Sequence, residues 1–234
     1  MYLNQLPDTL AETALKSLKF VDLPPPRHAW QTKTLIFDLD ETLAHCLDTE
    51  EGQTPEFTKQ FSRIPQYIIE IVCNNEAGVA ETIEAGINLR PHARECLAQC
   101  ATKYQVGVFT ASHKEYADAV IDIIDPAGTL INFRLYREHC FQTKEGIFIK
   151  DLRVIRNRDL KDLILVDNSV YSFGFQLNNG VPIIPYFNDP ADQELVYLAQ
   201  YVLSMSHAED VREQNAATFQ LEDFKRASLS CYLQ

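Results

Sequence analysis

The most constraining feature of this 234-residue chain is a short apolar run, Thr34-Leu-Ile-Phe37, that stops in Asp38-Leu-Asp40. A run this short, ending in carboxylates, reads as a strand covered on both faces, as strands of parallel sheets are. The pattern recurs: Gln105–Phe109 ends in Thr110, and Leu163–Val166 ends in Asp167-Asn168. Helical stretches intervene. One runs from Pro91, a residue favoured at the first helical position, to Lys103. A second spans His113–Ile124 and is closed by Asp125-Pro126. A third runs from Pro190 to Ser204, with Asp189 as its cap. Phe133–Arg137 reads as extended, Val181–Pro185 as a further strand, and His139–Gln142 with Gly146–Ile149 as a small hairpin.

Strands alternating with helices predict an α/β fold with a Rossmann-like, doubly wound parallel sheet. The length suits one such domain, and two would be cramped. Residues 1–29 read as a short amphipathic helix, with Leu10, Ala14, Leu15 and Leu18 at helical spacing, followed by a stiff Pro24-Pro25-Pro26 linker. The domain proper is expected over 30–205. Within it, 44–88 reads as a small β-hairpin flap insertion. It comprises a loop at Glu50–Pro55, a strand at Tyr67–Cys73, a turn at Asn74–Gly78 and a return strand at Val79–Ala85. Residues 206–234 form a polar tail with weak helical periodicity.

Net charge is −12, so the broad basic face that nucleic acid requires is not expected. An acidic body also repels phosphate, so any phosphate site must be made locally positive by a metal, a Lys or an Arg. The six cysteines form no Cys-x-x-Cys pair, which fits a reducing compartment. No apolar run approaches the roughly 20 residues of a membrane helix. The first residues carry Asp8 and Glu12 and no long apolar stretch, so no targeting signal is expected. A nuclear or cytoplasmic monomer without membrane contact is the expectation.

In a doubly wound sheet the ligand lies beyond the carboxyl ends of the strands. Asp38, Asp40, Thr110, Asp167 and Asn168 all fall there. Two carboxylates as close as Asp38 and Asp40 repel unless a cation separates them or one keeps a proton. Magnesium suits such a site, being a hard ion that takes one or two carboxylates plus substrate phosphate. One carboxylate can then attack phosphorus while the other protonates the leaving oxygen. Thr110 can hydrogen-bond a phosphoryl oxygen, and Lys150, after the extended segment ending at Ile149, can neutralise developing charge. Each feature alone has a bland reading as a strand end, a turn or a solvated lysine. Their order along one rim predicts phosphoryl transfer.

The local wording resembles a known family. Asp38-x-Asp40-x-Thr42, Thr110, Lys150 and Asp167-Asn168 match the four motifs of the haloacid dehalogenase superfamily. Asp38-Leu-Asp-Glu-Thr-Leu-x-His45, Leu89-Arg-Pro91, Phe109-Thr-Ala-Ser-x-x-x-Tyr-Ala-Asp118, Tyr136-Arg-Glu-x-Cys140, Lys150-Asp-Leu152 and Val166-Asp-Asn-Ser169 are similar to the small carboxy-terminal-domain phosphatases over about 30–205. The resemblance implies a magnesium-dependent protein serine/threonine phosphatase, with a phosphorylated protein segment, such as the RNA polymerase II tail, as substrate. By position it implies Asp38 as nucleophile and metal ligand. Asp40 would be general acid and then base, its backbone carbonyl a metal ligand. Thr110 and Lys150 would hold the phosphoryl group, and Asp167 with Asn168 would complete the metal shell. Thr42, Ser112 and Arg137 join the phosphate- and substrate-binding set, Arg137 in a supporting role.

The insertion 44–88 is longer and more polar than the family's three-stranded flap. Ile68, Ile69, Ile71, Val72, Val79 and Ile83 either line a substrate pocket there or pack the flap on the body. The tail is either a docking element or a surface helix. Two rival functions share these features. A retired phosphatase used as a scaffold would have lost catalytic carboxylates. A small-metabolite phosphatase would need a sealing cap, for which the insertion is thin. Elsewhere His92, Cys96 and Cys100 read as one buried helical line about 12 Å long, too extended for a shared metal. His45 reads as a brace for the loop after Asp38, Trp30 as core, and Tyr116 as able to approach the site mouth.

Overall fold

The computed structural model describes residues 18–47, 64–74 and 80–232. In chain order the strands are β1 (Lys33–Phe37), β2 (Ala44–Leu47), β3 (Tyr67–Asn74), β4 (Ala80–Leu89), β5 (Tyr104–Phe109), β6 (Phe133–Leu135), β7 (Phe141–Gln142), β8 (Phe148–Ile149), β9 (Leu163–Asp167) and β10 (Gly180–Pro182). The α-helices are α1 (Ala93–Ala101), α2 (Lys114–Ile124), α3 (Glu194–Ser204), α4 (Val211–Phe219) and α5 (Leu221–Tyr232).

A parallel sheet in the order β10-β9-β1-β5-β6 forms the centre. Its register explains why the strands are apolar throughout. Leu35 lies between Val106 and Ile164, and Phe37 between Val108 and Val166, all buried on one face. That face packs against Leu97 of α1, Val120 and Ile121 of α2, and Leu195 and Leu198 of α3. Ile36, Phe109, Leu163 and Leu165 point to the other face. Both faces are covered, as a doubly wound sheet requires, but by different material. The second face meets the 3₁₀ turns Leu152–Val154, Val170–Phe173 and Leu177–Asn179, with Leu18 and Leu23 of the N-terminal segment. Each fully buried Leu, Ile or Phe of these strands is worth about 1.5–3 kcal/mol. The packing is tight enough to demand a glycine. A Cβ on Gly107 would lie 2.2 Å from the Phe133 ring.

The N-terminal segment is tied down as a strap. Val21 bridges Ile155 in parallel, and Leu23 exchanges two hydrogen bonds with the Asn157 amide, at 2.9 and 2.8 Å. Most of the helix expected at 8–19 lies outside the described residues, as do the loop at 50–55 and residues 75–79.

Several expectations are corrected. The flap contains the expected hairpin, β3 with β4, and β2 joins it to give a three-stranded antiparallel sheet in the order β2-β4-β3. Ala44–Leu47 gains strand geometry only by pairing with the distant end of β4, so nothing local announces it. The flap's apolar residues divide between the two open readings. Ile69 is buried against the body and Ile71 half-buried, whereas Ile68 and Val72 face outward, 67% and 61% exposed. Trp30 is 64% exposed and stacked on His28 at 4.3 Å, so it is not core. Helix α1 begins at Ala93, two residues after Pro91, because His92 adopts a left-handed φ of 65° as its N-cap. His92 therefore leaves the helical line, while Cys96 and Cys100 stay buried on it. Glu194 opens α3, not Pro190, because the Asp189 carboxylate accepts from Ala191 N at 2.9 Å and closes a turn instead. The strand expected at Val181–Pro185 is Gly180–Pro182. The tail forms α4 and α5, anchored by a fully buried Val211 and by Asn215, which donates to Asn178 O at 2.9 Å.

Candidate active site

The site is built on the loop that leaves β1. Asp38 N still donates to Val166 O at 2.9 Å, so Asp38 continues the sheet and its carboxylate is fixed by the ladder. The chain then turns tightly. Leu43 N and Ala44 N both donate to Leu39 O, at 2.9 and 3.1 Å, and Glu41 takes a φ of 57°. Neighbours hold this turn. Tyr186 N donates to Glu41 O at 2.8 Å, and His45 Nδ1 lies 3.1 Å from Glu41 Oε1, the bracing role expected of it. The Arg90 guanidinium, 1% exposed, grips Asp192 through two bonds of 2.8 Å and also donates to Ile184 O and Thr42 O.

Lys150 lies between two of the expected carboxylates. Its Nζ is 2.5 Å from Asp38 Oδ1 and 2.6 Å from Asp167 Oδ2, and all three groups are buried. Burial alone would push the ammonium down in pKa. The two carboxylates outweigh it, Asp167 foremost, and hold it above its ordinary value. Burial, then the charge of Asp167, raises Asp38 well above the usual carboxylate range, against the opposing pull of Lys150. Asp167 is oriented by Ser169 N, which donates to its Oδ1 at 2.8 Å.

Asp40 turns the other way. Tyr116 donates its hydroxyl to Oδ1 at 2.7 Å, Ser112 donates to Oδ2 at 2.7 Å, and Thr110 Oγ1 is 3.3 Å from Oδ2. Thr110 is itself placed by β5, and its Oγ1 accepts from Ser112 N at 2.9 Å. The two acids two residues apart thus have unlike surroundings: Asp38 faces an ammonium, and Asp40 faces hydroxyls at the start of α2.

Thr42 Oγ1 lies 3.4 Å from both Asp38 Oδ2 and Asn168 Oδ1. Arg137 sits on the rim. Its Nε donates to Ala111 O at 2.5 Å, its Nη1 meets His113 Nε2 at 2.8 Å, and its guanidinium lies over Phe148. Burial pushes the nearby Cys140 thiol up to about 12. The sheet therefore brings Asp38, Asp40, Thr42, Thr110, Ser112, Lys150, Asp167 and Asn168 to one rim, with Arg137 at its edge.

Among the described residues no group of three or more His, Cys, Asp and Glu side chains stands ready to hold a metal. The reason is visible in the contacts: Asp38 and Asp167 are drawn onto Lys150, and Asp40 is drawn onto Ser112 and Tyr116. The donor chemistry still fits magnesium. Asp38 Oδ2 and Asn168 Oδ1 are hard oxygens with only a long contact to Thr42.

Two contributors were not given these roles by sequence reasoning. Arg90 lies in a motif, but its partner is 102 residues away. The Tyr116 hydroxyl bonds a group 76 residues distant, which leaves no trace in local pattern.

Residues 33–212 match a family model described as NLI interacting factor-like phosphatase. The chain is 37% identical over 201 residues to CTD small phosphatase-like protein 2 of Dictyostelium discoideum, covering 86% of this chain and 32% of that protein. It is 36% identical over 203 residues to CTD small phosphatase-like protein 3 of Caenorhabditis elegans, covering 86% and 64%. It is 31% identical over 180 residues to CTD nuclear envelope phosphatase 1B of Danio rerio, covering 77% and 69%. The chain thus spans only part of the length of these relatives. In fold it is similar to a solved structure of Fcp1, an essential RNA polymerase II CTD phosphatase, with a TM-score of 0.51 and 23% identity, covering 80% of this chain and 53% of that one.

Proposed function

We propose that this chain, which belongs to the NLI interacting factor-like phosphatase family, hydrolyses phosphoserine or phosphothreonine esters in proteins through a phosphoaspartate on Asp38. The observation that carries the reading is the buried Asp38–Lys150–Asp167 cluster at the ends of β1 and β9, with Asp40 held apart beside it. An Asp38 oxygen attacks phosphorus in line, and Asp40 gives its proton to the leaving serine oxygen. Asp40, now a carboxylate, takes a proton from water as the water oxygen bonds phosphorus and the Asp38–phosphorus bond breaks. Lys150 is close enough to shift from Asp38 to the phosphoryl oxygens as charge moves there, and Thr110 lines the same rim. The side chains of Asp38, Asp167 and Asn168, with the Asp40 carbonyl, would hold magnesium. When bound, it would supply positive charge against the phosphoryl group and separate it from the carboxylates.

Among the described residues the insertion supplies only the three strands β2, β3 and β4, which favours a protein segment over a small metabolite as substrate. The CTD phosphatases among the relatives make a phosphorylated RNA polymerase II tail peptide the first candidate. We place the catalytic unit at about 30–205, in the nucleus or cytoplasm. Among the described residues no helix is long and apolar enough to cross a membrane. The test is magnesium-dependent release of phosphate from an aryl phosphate and from phosphopeptides by wild type and Asp38→Asn. Equal rates in the two proteins, or activity indifferent to chelator, would overturn the reading.

A further inference from the structure

We propose that Tyr116, assisted by Ser112, is a positioning residue that fixes Asp40 for both of its proton transfers. The inference rests on the phosphatase reading above and assigns it a part that the four motifs do not contain.

The geometry is a clamp. Each oxygen of Asp40 receives a hydroxyl at 2.7 Å, Oδ1 from Tyr116 and Oδ2 from Ser112. The donors come from the first turn of α2 and from the loop just before it, so rotation of the carboxylate would break at least one bond. Tyr116 cannot readily follow such a rotation. Its half-buried ring packs against the main core cluster, and its backbone lies in α2. The N-terminus of α2 adds a favourable field for negative charge.

The clamp matters most between the two steps. When the phosphorus–serine bond breaks, the serine oxygen keeps the electron pair and takes the proton of Asp40. Asp40 is then a carboxylate that must wait, aimed, for a water. Tyr116 and Ser112 stabilise that form and hold one oxygen toward the phosphoaspartate. Each hydroxyl has a single proton, and each spends it on Asp40. Neither is therefore free to donate to the phosphoryl group during that interval.

The test uses the full chain with magnesium, Tyr116→Phe and Ser112→Ala, and two substrates. One is a phosphoserine peptide, whose leaving oxygen needs a proton. The other is 2,4-dinitrophenyl phosphate, whose leaving group does not. Loss of one hydrogen bond to a charged group is expected to lower kcat on the peptide by about 10-fold in Tyr116→Phe, with KM within twofold. On the dinitrophenyl ester the initial burst keeps its rate while later turnover falls, and phosphoenzyme accumulates. Ser112→Ala shifts the same quantities in the same direction and carries the test if Tyr116→Phe does not fold. A rise in KM with kcat unchanged would make Tyr116 a mere lining of the substrate pocket and overturn the proposal. So would equal slowing of burst and turnover, or wild-type behaviour of both variants. Absence of turnover in wild type on either substrate would instead overturn the phosphatase reading, and the clamp with it.

Discussion

Replacing Arg90 by Met tests how the turn after Asp38 is held. The guanidinium is 1% exposed and makes two 2.8 Å bonds to Asp192, one of 2.8 Å to Ile184 O and one of 3.3 Å to Thr42 O. Methionine fills much of the same space but leaves the Asp192 carboxylate without its cation, and two carbonyls without a donor. Breaking a buried pair by removing one member costs about 3–5 kcal/mol. Native domains have only about 5–15 kcal/mol in total, so the loss is a large share. With a urea slope of about 2.5 kcal/mol per molar for a chain of this size, the unfolding midpoint falls by about 1–2 M. Asp192→Asn in the Arg90→Met background removes the stranded charge and recovers part of the loss, giving a coupling of about 2 kcal/mol in a double-mutant cycle. The assay is urea denaturation followed by tryptophan fluorescence at neutral pH. A loss under about 1 kcal/mol, or strict additivity of the two substitutions, would refute the claim that this pair fastens the turn.

Lys150→Met leaves Asp38 and Asp167 facing each other. It should abolish turnover and destabilise by about 3–5 kcal/mol, and adding Asp167→Asn should restore stability without activity, as urea melts and phosphate release will show. Gly107→Ala forces a methyl into the Phe133 ring at 2.2 Å, so a loss of about 1–3 kcal/mol is expected in thermal melts. His139 is buried and accepts from Tyr136 N, and burial holds its pKa below the ordinary value. The unfolded chain therefore binds the extra proton first, so stability is lost as pH falls through about 6.5, and His139→Asn should flatten that part of the profile. Ending the chain at 205 removes Val211 and the Asn215 bonds to Tyr201 and Asn178. The truncated chain should melt at least several degrees lower if α4 is part of the body.

The sheet was legible because its strands are buried on both faces and so apolar without interruption. The candidate site was legible for a related reason: polar residues stand where those runs stop. What escaped was whatever depends on a distant partner. Ala44–Leu47 is four residues of mixed character whose strand geometry comes from β4. The Arg90–Asp192 pair and the Tyr116–Asp40 bond join segments that local periodicity treats separately. Asp189 misled because an Asp before a Pro can cap a helix or close a turn, and Asp192 two residues before α3 accepts from Glu194 N at 3.1 Å. Local chemistry permits both, and packing chooses.

The bond from Lys150 to Asp38 spans 112 residues of chain. The pairing of β1 with β9 closes a longer loop still, and neither segment contains a working fraction of the site by itself. Loop-closure entropy must be met before these contacts repay it, which makes such topologies slow to form. Local helices can form early in refolding and contribute nothing to turnover. Regained activity after dilution from denaturant therefore reports the last long-range closure. It should lag behind the recovery of helical circular dichroism.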